Sequence, residues 1–340
     1  MKPITLKDLA LKLNISVTTV SKALKGYSDV SKSTRDAVFA LAEEMNYTPN
    51  SVAVNLRTRQ TNTIGVIIPT IVHQFFSKVI DGIIEEAEKK GYLVITLQSN
   101  ESVKLEKKQI DLLLNKRVDG ILISLANDQK EIKHLQKVIN KKTPLVLFDK
   151  ISKSLVCSKV VINDREAAYN AVTHLIQSGC KKIAHFRGPL NPQNSIDRYL
   201  GYRKALEDNN IKFDKSLIYT CEDVSFEEGY KFAEDIYEKN KDIDAVFAIT
   251  DLVAVGAIAY FNENNIAVPN QISVIGFSNW FMSSVISPSL TTVDQPGYKM
   301  GKKALKLLFK EMNAQKKGKE FIPETIVLPT KIIKRNSTLI

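Results

Sequence analysis

Through the first 57 positions apolar residues recur at helical spacing, and beyond residue 62 they gather into short blocks separated by amphipathic stretches. Leu6, Leu9, Ala10 and Leu13 stand at i, i+3, i+4 and i+7, the stripe of a half-buried helix. Thr5 precedes Asp8 by three residues, a capping-box-like spacing in which Thr5 can take an orphan backbone donor. Asn14-Ile15 predicts a tight turn, because asparagine tolerates left-handed backbone angles. Ser16 is placed to cap a second helix that runs to about Leu24. On that helix Val20, Ala23 and Leu24 share one side, while Thr18, Ser21 and Lys22 fall roughly opposite at about 100° per residue. A third helix follows, then a short apolar segment that ends in Leu56-Arg57.

From Thr63 onward the rhythm changes. Strands are predicted at Thr63–Ile68, Leu93–Gln98, Gly120–Ser124 and Leu145–Phe148, with helices between them near Phe75–Lys90, Lys104–Lys116 and Lys130–Asn140. A second series places strands at Val160–Ile162, Ile183–Phe186, Ala245–Ala248 and Ser273–Ile275. Its helices fall near Arg165–Gln177, Ile196–Asp208, Phe226–Glu238 and Leu252–Asn264. Alternation of this kind predicts an α/β fold with parallel sheets, right-handed crossovers and helices on both faces. About ten strands are too many for one comfortable sheet here, so two sheets and two lobes are expected. Ligands of such sheets bind beyond the carboxyl ends of the strands, often between lobes.

The N-terminal pattern is the order of parts that a helix-turn-helix unit needs. In such a unit the start of the second helix meets base edges in the major groove. Thr18 and Lys22 can hydrogen-bond bases, Ser21 shares their face, and Val17 offers apolar contact to a thymine methyl. Thr5, Ser16, Thr19, Ser31, Thr34 and Tyr47 are candidate phosphate contacts, which position a protein without reading sequence. The competing reading is an ordinary three-helix domain with a polar face. Charge favours DNA modestly: residues 1–60 carry nine Lys/Arg against five Asp/Glu. Val52 to Leu56 is little more than one turn, and a helix that short is unstable alone. The polar run Arg57 to Asn62 marks the boundary behind it.

Composition is that of an ordinary globular protein, 44% hydrophobic and 25% charged. The net charge of +11 suits an anionic partner, although much of the lysine excess is scattered surface. No stretch of 18 apolar residues predicts a membrane span, and nothing at the N-terminus reads as a secretory signal. A cytoplasmic location is expected. Cys157, Cys180 and Cys221 are widely spaced with no CxxC, so reduced thiols are expected and no metal or cofactor is. GxSxG, HExxH, Walker A and GxGxxG motifs are missing. A sugar-binding protein or sugar-modifying enzyme on the same architecture is the competing class, and it would leave the N-terminal helices unexplained.

Fixed spacings make the resemblance specific. Lys2-Pro3-Ile4-Thr5-Leu6, Ile15 to Lys22, Val30-Ser31 and Asn46-Tyr47-x-Pro49-Asn50-x-x-Ala53 resemble the N-terminal signature of the lactose-repressor (LacI/GalR) family of bacterial transcription regulators. Later elements are similar to the family's core, which is itself similar to periplasmic sugar-binding proteins: Phe75-Phe76, Pro144 to Asp149, Arg198-x-x-Gly201-Tyr202, Asp251-x-x-Ala254-x-Gly256, and Pro288 to Pro296. The resemblance implies a helix-turn-helix domain at 1–48, a hinge helix and linker at 49–61, and a two-lobed core at 62–340. The N-lobe would comprise about 62–160 and 292–323, and the C-lobe about 161–291 and 324–340. Asn50, Ala53 and Leu56 would enter the minor groove as paired hinge helices of a homodimer, with Leu56 prying open a base step. A small-molecule effector between the lobes would control binding to a palindromic operator. Sugars are expected, with nucleobases as the alternative. The implied pocket comprises Phe75, Phe76, Ser124, Phe148, Asp149, Asn194, Arg198, Thr250, Phe277, Ser278, Asn279 and Trp280. Two positions depart from the pattern. Thr250 replaces a common asparagine, and Ser278 replaces a common aspartate, so Asn279 or Trp280 is expected to take over. Loss of the acid at 278 also suits an anionic effector. No leucine-heptad tail follows Ser337, which favours a dimer.

Overall fold

Thr5 and Asp8 form the expected capping box, the Thr5 backbone N–H donating to Asp8 Oδ2 at 2.8 Å, and open the helix Leu6–Leu13. Asn14 closes it at φ 51°, in the left-handed region predicted for the turn. Ser16 accepts from the Thr19 backbone N–H at 3.0 Å and caps the helix Val17–Leu24. Ser31 accepts likewise from Thr34 N–H at 3.2 Å at the head of the third helix, Lys32–Glu44. Leu9, Ala10, Val20, Ala23, Val30, Val38 and Ala42 are buried together as the small core of this unit. The computed structural model describes residues 4–48, 60–127 and 132–339. The expected hinge residues Asn50, Ala53 and Leu56 lie outside the described residues. The chain divides into two units, Met1–Thr61 and Asn62–Ile340.

The second unit holds two six-stranded sheets. The first contains β1 (Thr63–Ile68), β2 (Leu93–Gln98), β3 (Gly120–Ile123), β4 (Leu145–Phe148), β5 (Ser158–Ile162) and β11 (Thr325–Leu328), in the order β11-β5-β4-β3-β1-β2. The second contains β6 (Ile183–Arg187), β7 (Ile218–Thr220), β8 (Ala245–Ala248), β9 (Ser273–Phe277), β10 (Thr291–Asp294) and β12 (Lys331–Ile333), in the order β12-β10-β9-β8-β6-β7. The described ladders are parallel except β10 with β12. Central strands are covered on both faces, which is why Ile64, Val66, Ile67 and Ile68 form one apolar run with no exposed side chain.

The lobe boundaries need correction. β10 belongs wholly to the second sheet, so the return to the first lobe falls after Asp294, not at residue 292. β11 completes the first sheet beside β5, so the last crossing falls between Leu328 and Lys331, not at residue 324. The reason is pairing: each edge segment finds its hydrogen-bond partner in the sheet whose edge it reaches. Helix Gly297–Lys316 lies on the first lobe and packs against Gln74–Glu88.

That helix pair meets backbone to backbone. A Cβ on Gly82 would sit 2.2 Å from the Tyr298 carbonyl oxygen, and one on Gly301 would sit 2.0 Å from that of Val79. In the second lobe, helices Phe226–Lys239 and Asp251–Glu263 repeat the device, Gly229 facing the Val253 carbonyl and Gly256 that of Phe226, each at 2.1 Å. One apolar core runs through both lobes, joining Phe148, Val160 and Ile162 to Tyr202, Phe247, Phe277 and Val293.

Candidate functional site

The carboxyl ends of the strands converge on a cavity of about 300 Å³ between the lobes. Pro69 and Thr70 follow β1, Asn100 and Glu101 follow β2, Asn127 follows β3, and Asp149 and Lys150 follow β4. From the other lobe come Gly188 and Pro189 after β6, Asp223 after β7, Thr250 after β8, Ser278 after β9 and Gln295 after β10. Two helix N-termini also face it, one through His73, Phe75 and Phe76, the other through Asn194, Ser195 and Arg198. This is the placement that open parallel sheets dictate.

Arg198 is the anchor of the site. It is 3% exposed, donates from Nε to Asp164 Oδ1 at 2.8 Å and from Nη1 to the Ile249 carbonyl at 2.8 Å. Its guanidinium lies 3.6 Å above the Phe277 ring centroid. Burial pushes the Asp164 carboxyl up to about 7 even with Arg198 beside it, and burial also raises Asp149. Lys150 is held by Glu101 Oε1 at 2.5 Å and Asn127 Oδ1 at 2.6 Å, so its charge is matched within the wall. Burial and the nearby Lys150 lower His73 to about 4, which leaves a neutral imidazole 5.1 Å from the Trp280 rings.

The structure brings Phe75, Phe76, Asp149, Asn194, Arg198, Thr250 and Ser278 to the cavity wall. Ser124, Phe148, Phe277, Asn279 and Trp280 are not on it. Ser124 stands behind Asp149, its hydroxyl 3.5 Å from Oδ2, and Phe148 and Phe277 are fully buried core. The expectation that Asn279 or Trp280 replaces the missing acid needs correction. Asn279 Nδ2 donates to Asp294 Oδ1 at 2.7 Å and its Oδ1 accepts from Arg335 Nη2 at 2.8 Å, so its amide is committed elsewhere. The Trp280 backbone N–H donates to Asp251 Oδ2 at 2.6 Å, which fixes the loop. Asp251, pushed up by burial to about 6, also accepts from Thr292 Oγ1 at 2.5 Å. Thr250 caps its helix through Val253 N–H at 3.5 Å while facing the cavity.

Glu101, Asn127, Lys150, Ser195, Asp223 and Gln295 escaped the sequence reading. Glu101, Asn127 and Lys150 stand two to four residues beyond the ends of β2, β3 and β4, so the strand-end rule could have found them. Gln295 sat within a quoted family element without a role. Asp223 follows β7, a three-residue strand on the sheet edge with no buried run to betray it.

On the three-helix unit, Val17 and Thr18 are exposed, and Ser21 and Lys22 are half-exposed on the same helix. Thr5, Ser16 and Ser31 are exposed, whereas Thr19, Thr34 and Tyr47 are half-buried. Thr19 and Thr34 share hydroxyl contacts of 2.8 Å with Ser16 and Ser31, so each cap presents a pair of oxygens. The Lys22 ammonium pairs with Asp29, a partner that spacing did not reveal because it lies on the loop after the helix. Among the described residues no cluster of three or more His, Cys, Asp or Glu is placed to hold a metal, and no helix is long and apolar enough to cross a membrane. All three cysteines are free and buried.

A family profile for a periplasmic binding protein domain matches residues 64–317, and one for bacterial regulatory proteins, lacI family, matches residues 5–50. The HTH-type transcriptional regulator RegA of Clostridium saccharobutylicum is 33% identical over 336 residues, covering 98% of this chain and 99% of the relative. Catabolite control protein A of Priestia megaterium is 34% identical over 337 residues, covering 98% and 99%. The crystal structure of the Lac repressor dimer bound to operator and the anti-inducer ONPF is similar over 100% of both chains, with a TM-score of 0.88 at 26% identity.

Proposed function

Because the chain belongs to the LacI family of bacterial regulatory proteins, and is thus a DNA-binding transcriptional regulator with an effector-binding core, we propose that it is a repressor whose effector is a sugar or sugar derivative held between the lobes. The cavity carries this reading. Phe75 and Phe76 set two rings edge to face, 5.2 Å apart, and Asp149, Asn194 and Arg198 supply polar groups to the same cavity. A sugar ring has an apolar face to stack and a rim of hydroxyls to bond, and this wall offers both. We read the cleft as a binding site, since its arginine, Arg198, is tied to Asp164 and the Ile249 carbonyl.

The regulator acts in the cytoplasm as a homodimer on a palindromic operator, protein and DNA sharing a two-fold axis. Exposed apolar Ile71, Val72, Phe281 and Val285 support self-association, with the Phe281 N–H bound to Gln74 Oε1 at 2.6 Å. Ligand between the lobes biases their relative orientation and thereby operator affinity. Coupling is reciprocal, so operator must change effector affinity by the same factor. The test is a thermal-shift screen of sugars, sugar acids, sugar phosphates and nucleobases, with hits titrated into an operator-binding assay at fixed salt. A nucleobase hit with no sugar hit sinks the sugar reading.

Two expectations concern the DNA face. Substituting Thr18 or Lys22 should change base preference at one operator position by about 1–3 kcal/mol, measured across single-base operator variants. Equal weakening on every sequence would make them phosphate contacts. Replacing Leu56 with alanine should weaken operator binding and reduce DNA bending, read by a circular-permutation gel assay; unchanged bending removes the wedge.

A further inference from the structure

Residues 25–31 join the helix Val17–Leu24 to the helix Lys32–Glu44, and this loop is held at several points. Gly26, at φ 71°, turns the chain out of the first of these helices, and the Tyr27 N–H donates back to the Lys22 carbonyl at 3.1 Å. Arg35 reaches from the other helix, donating through Nη2 to the Tyr27 carbonyl at 3.0 Å and the Val30 carbonyl at 3.3 Å. Val30 is buried in the small core of the unit. Asp29 stands between the two clamped carbonyls, so its backbone is fixed. Its carboxylate is thereby delivered to a residue seven positions earlier, where Oδ2 accepts from Lys22 Nζ. That hydrogen bond raises the Lys22 ammonium and lowers the Asp29 carboxyl, so both are ionised at neutral pH. Both side chains stay open to a DNA partner, 44% and 53% exposed. A carboxylate on a face meant for DNA repels phosphate on every sequence. This one is matched by the very cation that would otherwise seek phosphate.

Resting on the reading of Lys22 as a base contact, we infer that Asp29 is a positioning residue that sets operator specificity: it holds the Lys22 ammonium off the phosphate backbone and leaves its remaining N–H donors for a base edge. Lysine is a compact charge on a flexible four-carbon stem, and phosphate is the anion most available to it at a DNA surface. A phosphate contact strengthens binding to every sequence alike and so adds no preference. Paired with Asp29, the ammonium has its charge matched and keeps two of its three N–H donors. Guanine presents O6 and N7 as neighbouring acceptors in the major groove, and two donors aimed together suit that edge. The pair is exposed and contributes little to the fold, so its effect falls on what Lys22 contacts rather than on stability.

The test uses the full chain and an operator selected by it from a randomised duplex pool. Dissociation constants are measured by fluorescence anisotropy on that operator, its single-base variants and a random-sequence duplex, over a series of salt concentrations. The melting temperature of each variant is the fold control. Asp29→Asn should bind the random duplex about twofold to fivefold more tightly, the worth of an exposed ion pair set free. Its salt slope on that duplex should steepen by about 0.9, one more phosphate neutralised. Preference at one operator position should fall by about fivefold or more. In a Lys22→Met background, Asp29→Asn should change none of these. Asp29→Glu keeps a carboxylate within reach of Lys22 and should hold the preference to within about twofold of the parent chain. Equal tightening on operator and random DNA, or the same change in the Lys22→Met background, makes Asp29 a bulk charge and overturns the inference, as does a Glu variant that loses preference like the Asn variant. In those cases the reading of Lys22 as a base contact stands. If Lys22→Met instead weakens every sequence equally, that reading and the inference fall together.

Discussion

Replacing Arg198 with alanine should abolish the effector's influence on operator binding and destabilise the core by about 3 kcal/mol. The first effect follows from position, since Arg198 lines the cavity. The second follows from what is left behind. Asp164 loses its 2.8 Å partner, the Ile249 carbonyl loses its donor, and the Phe277 ring loses the cation packed on it. Removal of one member of a buried pair costs about 3–5 kcal/mol in general. The lower figure applies here because Asp164, already raised to about 7, can take up a proton when the arginine goes. Operator affinity without effector should change little, because the DNA-reading side chains belong to the other unit. Chemical denaturation and operator titration, each with and without effector, measure both effects. The double variant Arg198→Ala with Asp164→Asn separates them: stability should recover in part, and the effector response should not. A single variant that still responds to effector would remove Arg198 from the binding site.

The second large effect is one of sign. Alanine is the better helix former, so a glycine in a helix interior replaced by alanine ordinarily gains about 0.8–1.0 kcal/mol. At Gly256 and Gly301 it should instead cost about 2–3 kcal/mol. The added Cβ would meet a backbone carbonyl at 2.1 Å and 2.0 Å respectively, and a carbonyl in a partner helix cannot swing aside as a side chain can. The helices would have to separate, losing dispersion contacts along their whole length. Denaturant midpoints of the two variants test this, with the exposed turn residue Gly91 as the control, where nothing lies near the added carbon and only its φ of 68° resists. Stabilisation at Gly256 or Gly301 would show that the helices are not held at this spacing.

The same pairs show where sequence reasoning reaches its limit. Gly256 was visible as part of a quoted spacing, but its partner Phe226 lies thirty residues away on another helix. Nothing along the chain says that two backbones touch there. The N-terminal unit was legible almost to the residue, because caps, the Asn14 turn and the apolar stripe are local and act within one helical turn. The pairing of Lys22 with Asp29 was not, since a loop had to fold back to make it.

The pocket divides in the same way. Strand ends follow from periodicity, and with them the neighbourhood of Asp149, Arg198 and Thr250. Which of those side chains reach the cavity follows only from packing. Phe148 and Phe277 belonged to the implied pocket, yet the continuous core that joins the lobes buries them completely. Asn279 looked like the replacement for a missing acid, yet Asp294 and Arg335 hold its amide.

By itself, then, the sequence determined the class of the longer and buried elements, the parallel βαβ order and the three-helix unit, because hydrophobic period and capping are short-range, while the strands Ile218–Thr220, Thr291–Asp294, Thr325–Leu328 and Lys331–Ile333 escaped it. What the Ser278 hydroxyl bonds was decided by tertiary structure alone. A hydroxyl can give or take a hydrogen bond, and only the arrival of Gln295, seventeen residues later and just beyond the next strand, fixed its direction.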